Sequence, residues 1–350
     1  MNLRDILVME VPSGALKEVI KEKNIESKLN STEDMAAAIA EDNPAFGSYL
    51  ADQFKYAGST AVNLNIAMRG VEAAWSQKDY FKDKLRERFS AAIFDGGIRP
   101  ILEKTPKLIS AHDLNDKLVL AFSFLGPARR FLENFQIVSR SPQMVDYVII
   151  HFSPFAVEVR ASQDRNLMFR DSVAEIMGKK PEDIAWEKAT KLTEEQANKL
   201  AVRLNARLRS AKHKMTEGPY ATKEVTARTQ IEDLQSDEQY RTEFNNQPMK
   251  KKTLRFDFEY SFGYSDTISY EVTDEGLWIR SKVGEEVISY IIGEIMAIRY
   301  PVEIDAGVNN DDDSLEVDGV VNNDDLLDEV DNQIKVALNT EISETEENLA

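Results

Sequence analysis

Apolar residues recur three and four positions apart through the first sixty residues, and that spacing predicts three short helices. Ser13 caps a helix carrying Ala15, Leu16, Val19 and Ile20. Ser31 or Thr32 caps a second one. Its first turn holds Glu33 and Asp34, where carboxylates suit the helix dipole, and its apolar side holds Met35, Ala38 and Ile39. The Asn43-Pro44 pair stops it, and a third helix covers 46–56 and ends near Gly58. Residues 61–94 read as mostly helical, with Phe81, Leu85, Phe89, Ile93 and Phe94 as an apolar stripe closed by Gly96-Gly97 and Pro100.

The pattern then changes to strands. Leu118 to Phe122 reads as one, and Tyr147 to Phe152 is a continuous apolar run of the kind that a strand buried on both faces carries. Phe155 to Arg160 alternates, so the two runs predict a hairpin through Ser153-Pro154. A helix with Leu167, Phe169, Val173 and Ile176 follows and is closed by Gly178. Residues 182–215 predict the longest helical segment, whose second part starts at Thr193, near Glu195 and Gln196, and carries Leu200, Leu204 and Leu208. Residues 216–250 are polar and predict a mobile loop with one short helix near 231–240. From Leu254 to Tyr260 the alternation is clean. Runs at 267–272 and 277–282 continue a meander, with turns at Gly263 and 274–276, and 287–298 reads as a closing helix.

Length and composition place these elements in a protein with a substantial core. A chain of 350 residues with 42% hydrophobic and 30% charged residues suggests about two domains and needs no covalent staples. There is no cysteine, which excludes disulfides, cysteine nucleophiles, zinc ribbons and iron–sulfur clusters and fits a reducing compartment. No apolar run of 18 residues occurs, and the first residues carry Arg4, Asp5 and Glu10, so neither a membrane span nor a secretory signal is expected and the expected location is cytoplasmic. The net charge of −18 is unevenly spread: 303–350 holds 16 acidic residues and the single cation Lys335, leaving 1–302 at −3. Bulk acidity therefore argues against a polyanion partner mainly for the tail. That tail, with Asn309 to Asp313 and Asn322 to Asp325 as a degenerate repeat, is expected to be disordered. Its Leu326, Leu327, Val330, Ile334, Val336 and Leu338 are spaced for a helix able to form on a protein partner.

The resulting expectation is an α+β fold: a small helical N-terminal module followed by a mixed α/β body with an antiparallel-rich sheet, then a disordered acidic C-terminal tail. The segments are a helical module at 1–60, a helix-rich α/β region with a central strand pair at 61–215, a mobile polar linker at 216–252, a β-meander with closing helix at 253–302, and the tail at 303–350.

The candidate chemistry is cationic. Lys199, Arg203 and Arg207 recur every four residues beside the leucine line, and Arg209, Lys212, His213 and Lys214 extend the charge. No acidic residue falls between Gln196 and Thr216, so a helix here would offer an uncompensated stripe to phosphates. Lys250, Lys251, Lys252 and Arg255 are candidates for the same surface, and Arg129, Arg130 and Arg140 are further candidates. The bland alternative is a solvated face. Phe256, Phe258, Tyr260, Phe262 and Tyr264 share one parity and are read as a core face, with base stacking as the other use of such rings.

Catalytic signals are sparse. His112, His151 and His213 have no metal-ligand spacing, and His151 reads as a satisfied core residue. Asp257 and Glu259, with Lys282, would be the minimal set for a metal-dependent nuclease. No phosphate-binding glycine loop, dinucleotide fingerprint or nucleophile elbow is present. No catalytic residue, metal ligand or cofactor is assigned.

Leu16-Lys17, Val19-Ile20, Asn24-Ile25 and Met35 to Ile39 resemble the SAP module, a small DNA-binding helical pair. Asn24-Ile25 stands for its Gly-Leu pair, and Asn30-Ser31-Thr32-Glu33 replaces its Gly-x-Lys step. The order of elements over about 10–300 resembles the kinetochore centromere protein N family: Phe81 to Ile93 as lead-in helix, Tyr147 to Val159 as central strand pair, Leu254 to Ile298 as C-terminal part. That resemblance implies a non-enzymatic binder of nucleosomes and DNA. The expected function is a non-enzymatic nucleic-acid or nucleoprotein-binding protein. DNA or RNA would contact the basic helix, the acidic tail would modulate binding or recruit a protein, and no membrane would be involved. A scaffold subunit and a metal-dependent nuclease are the alternatives.

Overall fold

The alternation Val62-Asn63-Leu64-Asn65-Ile66 sets the architecture. In the computed structural model, which describes residues 2–58, 60–114, 116–244 and 247–301, this stretch is a strand inside the sheet rather than part of a helical region. Its period of two was hidden by the asparagines, which sequence propensity does not favour in strands. Tertiary partners satisfy them. The Asn63 amide donates to the carbonyls of Val159 and Ala161, and Asn65 and Asn166 exchange reciprocal amide bonds of 2.9 and 3.2 Å.

Among the described residues the helices are α1 (Leu3–Glu10), α2 (Ser13–Glu22), α3 (Thr32–Asp42), α4 (Pro44–Lys55), α5 (Lys78–Phe89), α6 (Asn166–Ile176), α7 (Glu194–Arg203), α8 (Glu238–Phe244) and α9 (Glu285–Arg299). The strands are β1 (Ala61–Arg69), β2 (Lys107–Leu114), β3 (Lys117–Leu125), β4 (Arg129–Glu133), β5 (Gln136–Arg140), β6 (Gln143–Phe152), β7 (Phe155–Arg160), β8 (Ala185–Lys188), β9 (Arg207–Lys214), β10 (Thr222–Thr226), β11 (Met249–Glu259), β12 (Ser265–Thr273) and β13 (Gly276–Ile279). The fold is α+β. One antiparallel sheet runs β10-β9-β11-β12-β13-β1-β7-β6-β3-β2, with β8 also on β1, and β4-β5 form a separate ribbon. The expected hairpin of β6 and β7 is present, with Phe152 opposite Phe155. Caps fall where small polar residues precede apolar runs: Ser31 Oγ accepts from Asp34 N at 3.1 Å, Asn43 caps α4, and Thr193 with Gln196 closes a capping box on α7.

The register of β1 decides which face each helix covers. Val62 lies opposite Leu277 and Leu64 opposite Glu158, so these residues share one face and Val157 and Val159 point to the other. On the first face α9 and the N-terminal helices bury Leu16, Leu50, Phe54, Phe256, Tyr270 and Ile291. On the second face α5 and α6 bury Phe81, Leu85, Phe122, Ile150 and Phe169. Helices therefore cover opposite faces of the two halves of one sheet. The aromatic residues on the β11 side are a core face, with Phe256, Tyr260 and Phe262 buried.

A desolvated charge network joins α9 to the second half of the sheet. Arg160 on β7, 3% exposed, donates to Glu158 Oε1 at 2.7 Å, to the carbonyl of Tyr56 at 2.8 Å, and to both oxygens of Glu285 in the first turn of α9. Lys117 reaches Glu285 at 3.1 Å, and His151 sits 2.8 Å from Glu158. His151 thus has a charged partner and is only partly buried, rather than being a core residue.

Two further expectations are corrected. The helix starting after Thr193 ends at Arg203 instead of continuing to 215. Asn205 takes a left-handed backbone (φ +47°), and Ala206 N donates to the Ala201 carbonyl at 2.8 Å and Asn205 N to Val202 at 3.0 Å, a Schellman closure. Residues 207–214 then form β9, with Leu208, Ala211 and His213 buried. The segment 216–252 is not a bare linker: β10 pairs with β9, and α8 buries Tyr240 and Phe244 around His213, whose ring stacks on Phe244. The sheet draws strands from 61–215, 216–252 and 253–302 alike, so these segments belong to one packing unit. The acidic segment 303–350 lies outside the described residues.

Gly70 closes β1 with φ +91°, and a Cβ there would stand 2.1 Å from the Asp183 carbonyl oxygen, whereas at Gly178 (φ +78°) it would meet open space. Gly70→Ala is expected to destabilise by more than about 2 kcal/mol in urea unfolding, and Gly178→Ala by about 1 kcal/mol. Equal losses at the two sites would show that backbone strain alone, without the collision, governs Gly70.

Candidate nucleic-acid interface

The nine cations singled out by sequence divide once the chain folds. Lys199 stays on α7 and pairs with Glu195 one turn earlier at 2.9 Å. Arg203 reaches across to Glu294 of α9 at 2.9 Å. Arg207, now on β9, donates to Asp257 of β11 at 2.7 Å and lies 4.0 Å from Glu232. The Arg209 guanidinium caps the carbonyls of Ile231 and Glu232. Lys251 pairs with Glu224 at 2.9 Å, and that hydrogen bond holds the ammonium above its usual range. Lys252 is buried. Its ammonium donates to Asn198 Oδ1 at 2.5 Å, and burial pulls its pKa down, an effect that Glu194 at 4.0 Å counters in part. These partners come from α7 itself, β10, β11, residues 231–232 and α9, and the run bends into β9 after Arg203, so the uninterrupted cationic stripe of a single helix does not exist.

Three of the nine remain without an ion pair among the described residues: Lys212, Lys214 and Lys250. On β9, Lys212 lies opposite Lys251 and Glu224 and faces away from α8, while Lys214 ends the strand. Lys214 and Lys250 open onto a groove of ≈ 680 Å³ at the end of the sheet, beside the start of α7 and the end of α9. Lys191, Lys252 and Arg299 line the same groove, facing two carboxylates, Glu194 and Asp274. Arg299 is anchored, donating to Glu187 and to the Lys191 carbonyl at 2.8 Å. Lys191 has no ion pair among the described residues.

Sequence reasoning missed Lys191 and Arg299. The signal for Lys191 was its place two residues before the capping Thr193, which brings it to a helix start that also receives the end of β9. Nothing local marked Arg299, because it enters the groove only when α9 packs beside α7.

The sheet around this groove is open on its second face. Arg255, Asp257 and Glu259 are exposed there, and Arg280 stacks over Trp278 at 4.6 Å while donating to Glu271 at 2.9 Å. Asp257, proposed as a metal ligand by its spacing with Glu259, has its oxygens occupied by Arg207 and Thr267, at 2.7 Å each. The Thr267 hydroxyl bond and the Arg207 charge keep its carboxyl below the usual range against a smaller opposing effect of burial. Lys282 points elsewhere, to the Met9 carbonyl at 2.7 Å. No group of three metal-ligating side chains gathers among the described residues. No helix among them is long and apolar enough to cross a membrane.

Comparison with protein-family models and with curated proteins gives no match.

Proposed function

We propose that the protein is a non-enzymatic nucleic-acid or nucleoprotein-binding protein whose phosphate contacts lie at the end of β9 and along the adjoining groove. The observation that carries this reading is the convergence of Lys191, Lys214 and Lys250, none ion-paired among the described residues, on one groove that also presents Lys252 and Arg299. A phosphate chain entering it would displace counter-ions from the exposed Lys191, Lys214 and Lys250, with Glu194 and Asp274 as the carboxylates of the lining to overcome. The acidic 303–350 segment carries 16 acidic residues and would compete for the same cations, which makes it a modulator in cis or a site for a basic partner.

The test is affinity for single- and double-stranded DNA and RNA, measured against salt for the full chain and for a chain ending at residue 302. Binding should be present at ~50 mM salt, weaken as a power of salt concentration, and be tighter without the acidic segment. Absence of binding by both forms at ~50 mM salt would end the proposal.

A further inference from the structure

The ribbon of β4 and β5 concentrates features that cost a folded protein free energy, against which it holds the Arg140–Glu133 pair and Arg140 over the Phe131 ring at 5.6 Å. It continues the β3–β6 ladder past Leu125 and Gln143, after Gly126 N bonds the Pro142 carbonyl, but among the described residues no strand of the main sheet pairs with it. Five residues per strand carry it about 17 Å outward. An isolated two-stranded ribbon is at best marginally stable in water. Yet Leu132 and Ile137 face each other here across the strands, 67% and 78% exposed, with Phe131 exposed on the other face. The turn is made by Asn134 (φ +49°) and Phe135 (φ +63°). A tight turn with two left-handed residues favours glycine at its second position. A bulky aromatic there is strained, and Phe135 is also 96% exposed. At the base, Arg129 lies directly opposite Arg140, a like-charge pair that opposes strand pairing. Arg140 finds Glu133 at 2.7 Å, whereas Arg129 and Arg130 have no carboxylate partner among the described residues.

We propose that this ribbon is a DNA-binding arm that enters the minor groove of a duplex, with Arg129 and Arg130 on the phosphates and Phe135 wedged against a base step. The inference rests on the nucleic-acid reading above and adds to it a second contact element and a duplex as the ligand. Charge complementarity selects an anionic occupant: the ribbon holds three arginines and one glutamate in a chain that is otherwise acidic. A slender ribbon with apolar side chains at its tip matches the way proteins unstack and bend DNA from the minor groove. The polar tip residues separate this from a lipid surface. Asn134 and Gln136 can hydrogen-bond base edges, whereas Glu133 beside the tip would be costly in hydrocarbon.

Phe135→Gly tests the arm without endangering the fold, because it relieves the left-handed backbone while removing the wedge. The full-length protein and this variant are titrated into a 30-base-pair duplex rich in flexible TA steps, labelled at both ends for energy transfer. The wild type should shorten the end-to-end distance. Phe135→Gly should bind about tenfold more weakly and leave the duplex straight. A variant that binds and bends like the wild type overturns the arm while leaving the groove reading intact. A wild type that binds single strands but no duplex overturns the arm and leaves the groove reading standing, and one that binds no nucleic acid of either kind overturns both. Sedimentation showing that Phe135→Gly dissociates a dimer, or loss of wild-type binding to phosphatidylserine vesicles in the variant with DNA bending unchanged, also overturns it in favour of a second copy or a lipid surface.

Discussion

Arg160→Met is expected to destabilise the protein by about 3–5 kcal/mol at neutral pH, lowering the melting temperature by roughly 5–15 °C. The cause is the pair of carboxylates left behind. Glu158 and Glu285 are buried with Arg160, and burial by itself would push both carboxyls up. The guanidinium acting together with His151 and Lys117 at Glu158, and with Lys117 at Glu285, more than offsets that, and both groups sit below the usual carboxylate range. Removing Arg160 leaves two desolvated negative charges facing one another through Lys117 and His151 at the margin of the site.

The pH dependence has a definite sign. In the wild type these depressed groups contribute stability that is present above the unfolded carboxylate value and is lost as the solution is acidified below about pH 5. In the variant the same carboxyls, raised by burial, protonate more readily than in the unfolded chain, so acidification helps it. The stability gap should therefore be largest near pH 7 and shrink towards pH 4. Urea unfolding at several pH values measures both effects, and Glu158→Gln combined with Arg160→Met should recover part of the loss. A difference below about 1 kcal/mol at pH 7 would mean that water reaches the network and that it does not hold α9 to β7.

The double reversal Lys214→Glu with Lys250→Glu is expected to weaken nucleic-acid binding about 100-fold at ~100 mM salt and to reduce the salt slope by about two. Both side chains are open on the groove, so the change should leave stability within about 0.5 kcal/mol. Lys199→Glu is the control. It lies on the same helix as the groove's edge but outside the lining, already beside Glu195, and should cost less than about threefold. Anisotropy titrations across salt would separate the two, and equal losses from both variants would mean that net charge, not this groove, drives binding.

These cations show where reading the chain linearly succeeded and where it did not. The run from Lys199 to Lys214 has no acidic residue within it, and along the sequence it looks uncompensated. In three dimensions compensation came from positions far along the chain: Glu294 for Arg203, Asp257 for Arg207, backbone carbonyls for Arg209. The one local signal that the helix would not continue was Asn205, a residue that tolerates the left-handed closure. Likewise Asn63 and Asn65 concealed a strand because their buried amides are satisfied by β7 and by Asn166, neighbours about a hundred residues away.

The sequence by itself determined the helix starts at Ser31 and Thr193, the hairpin at Ser153-Pro154, the alternation of β11 and the closing helix α9, because caps, turns and periodicity act within a few residues. It also determined the α+β class, since those local patterns add up to it. Only the tertiary structure decided that β1 is the strand joining the two halves, that helices cover opposite faces of those halves, which lysines remain open, and that residues 129–140 stand clear of the sheet. Those outcomes depend on pairing register and charge neutralisation between distant segments, and neither leaves a periodic trace in the chain.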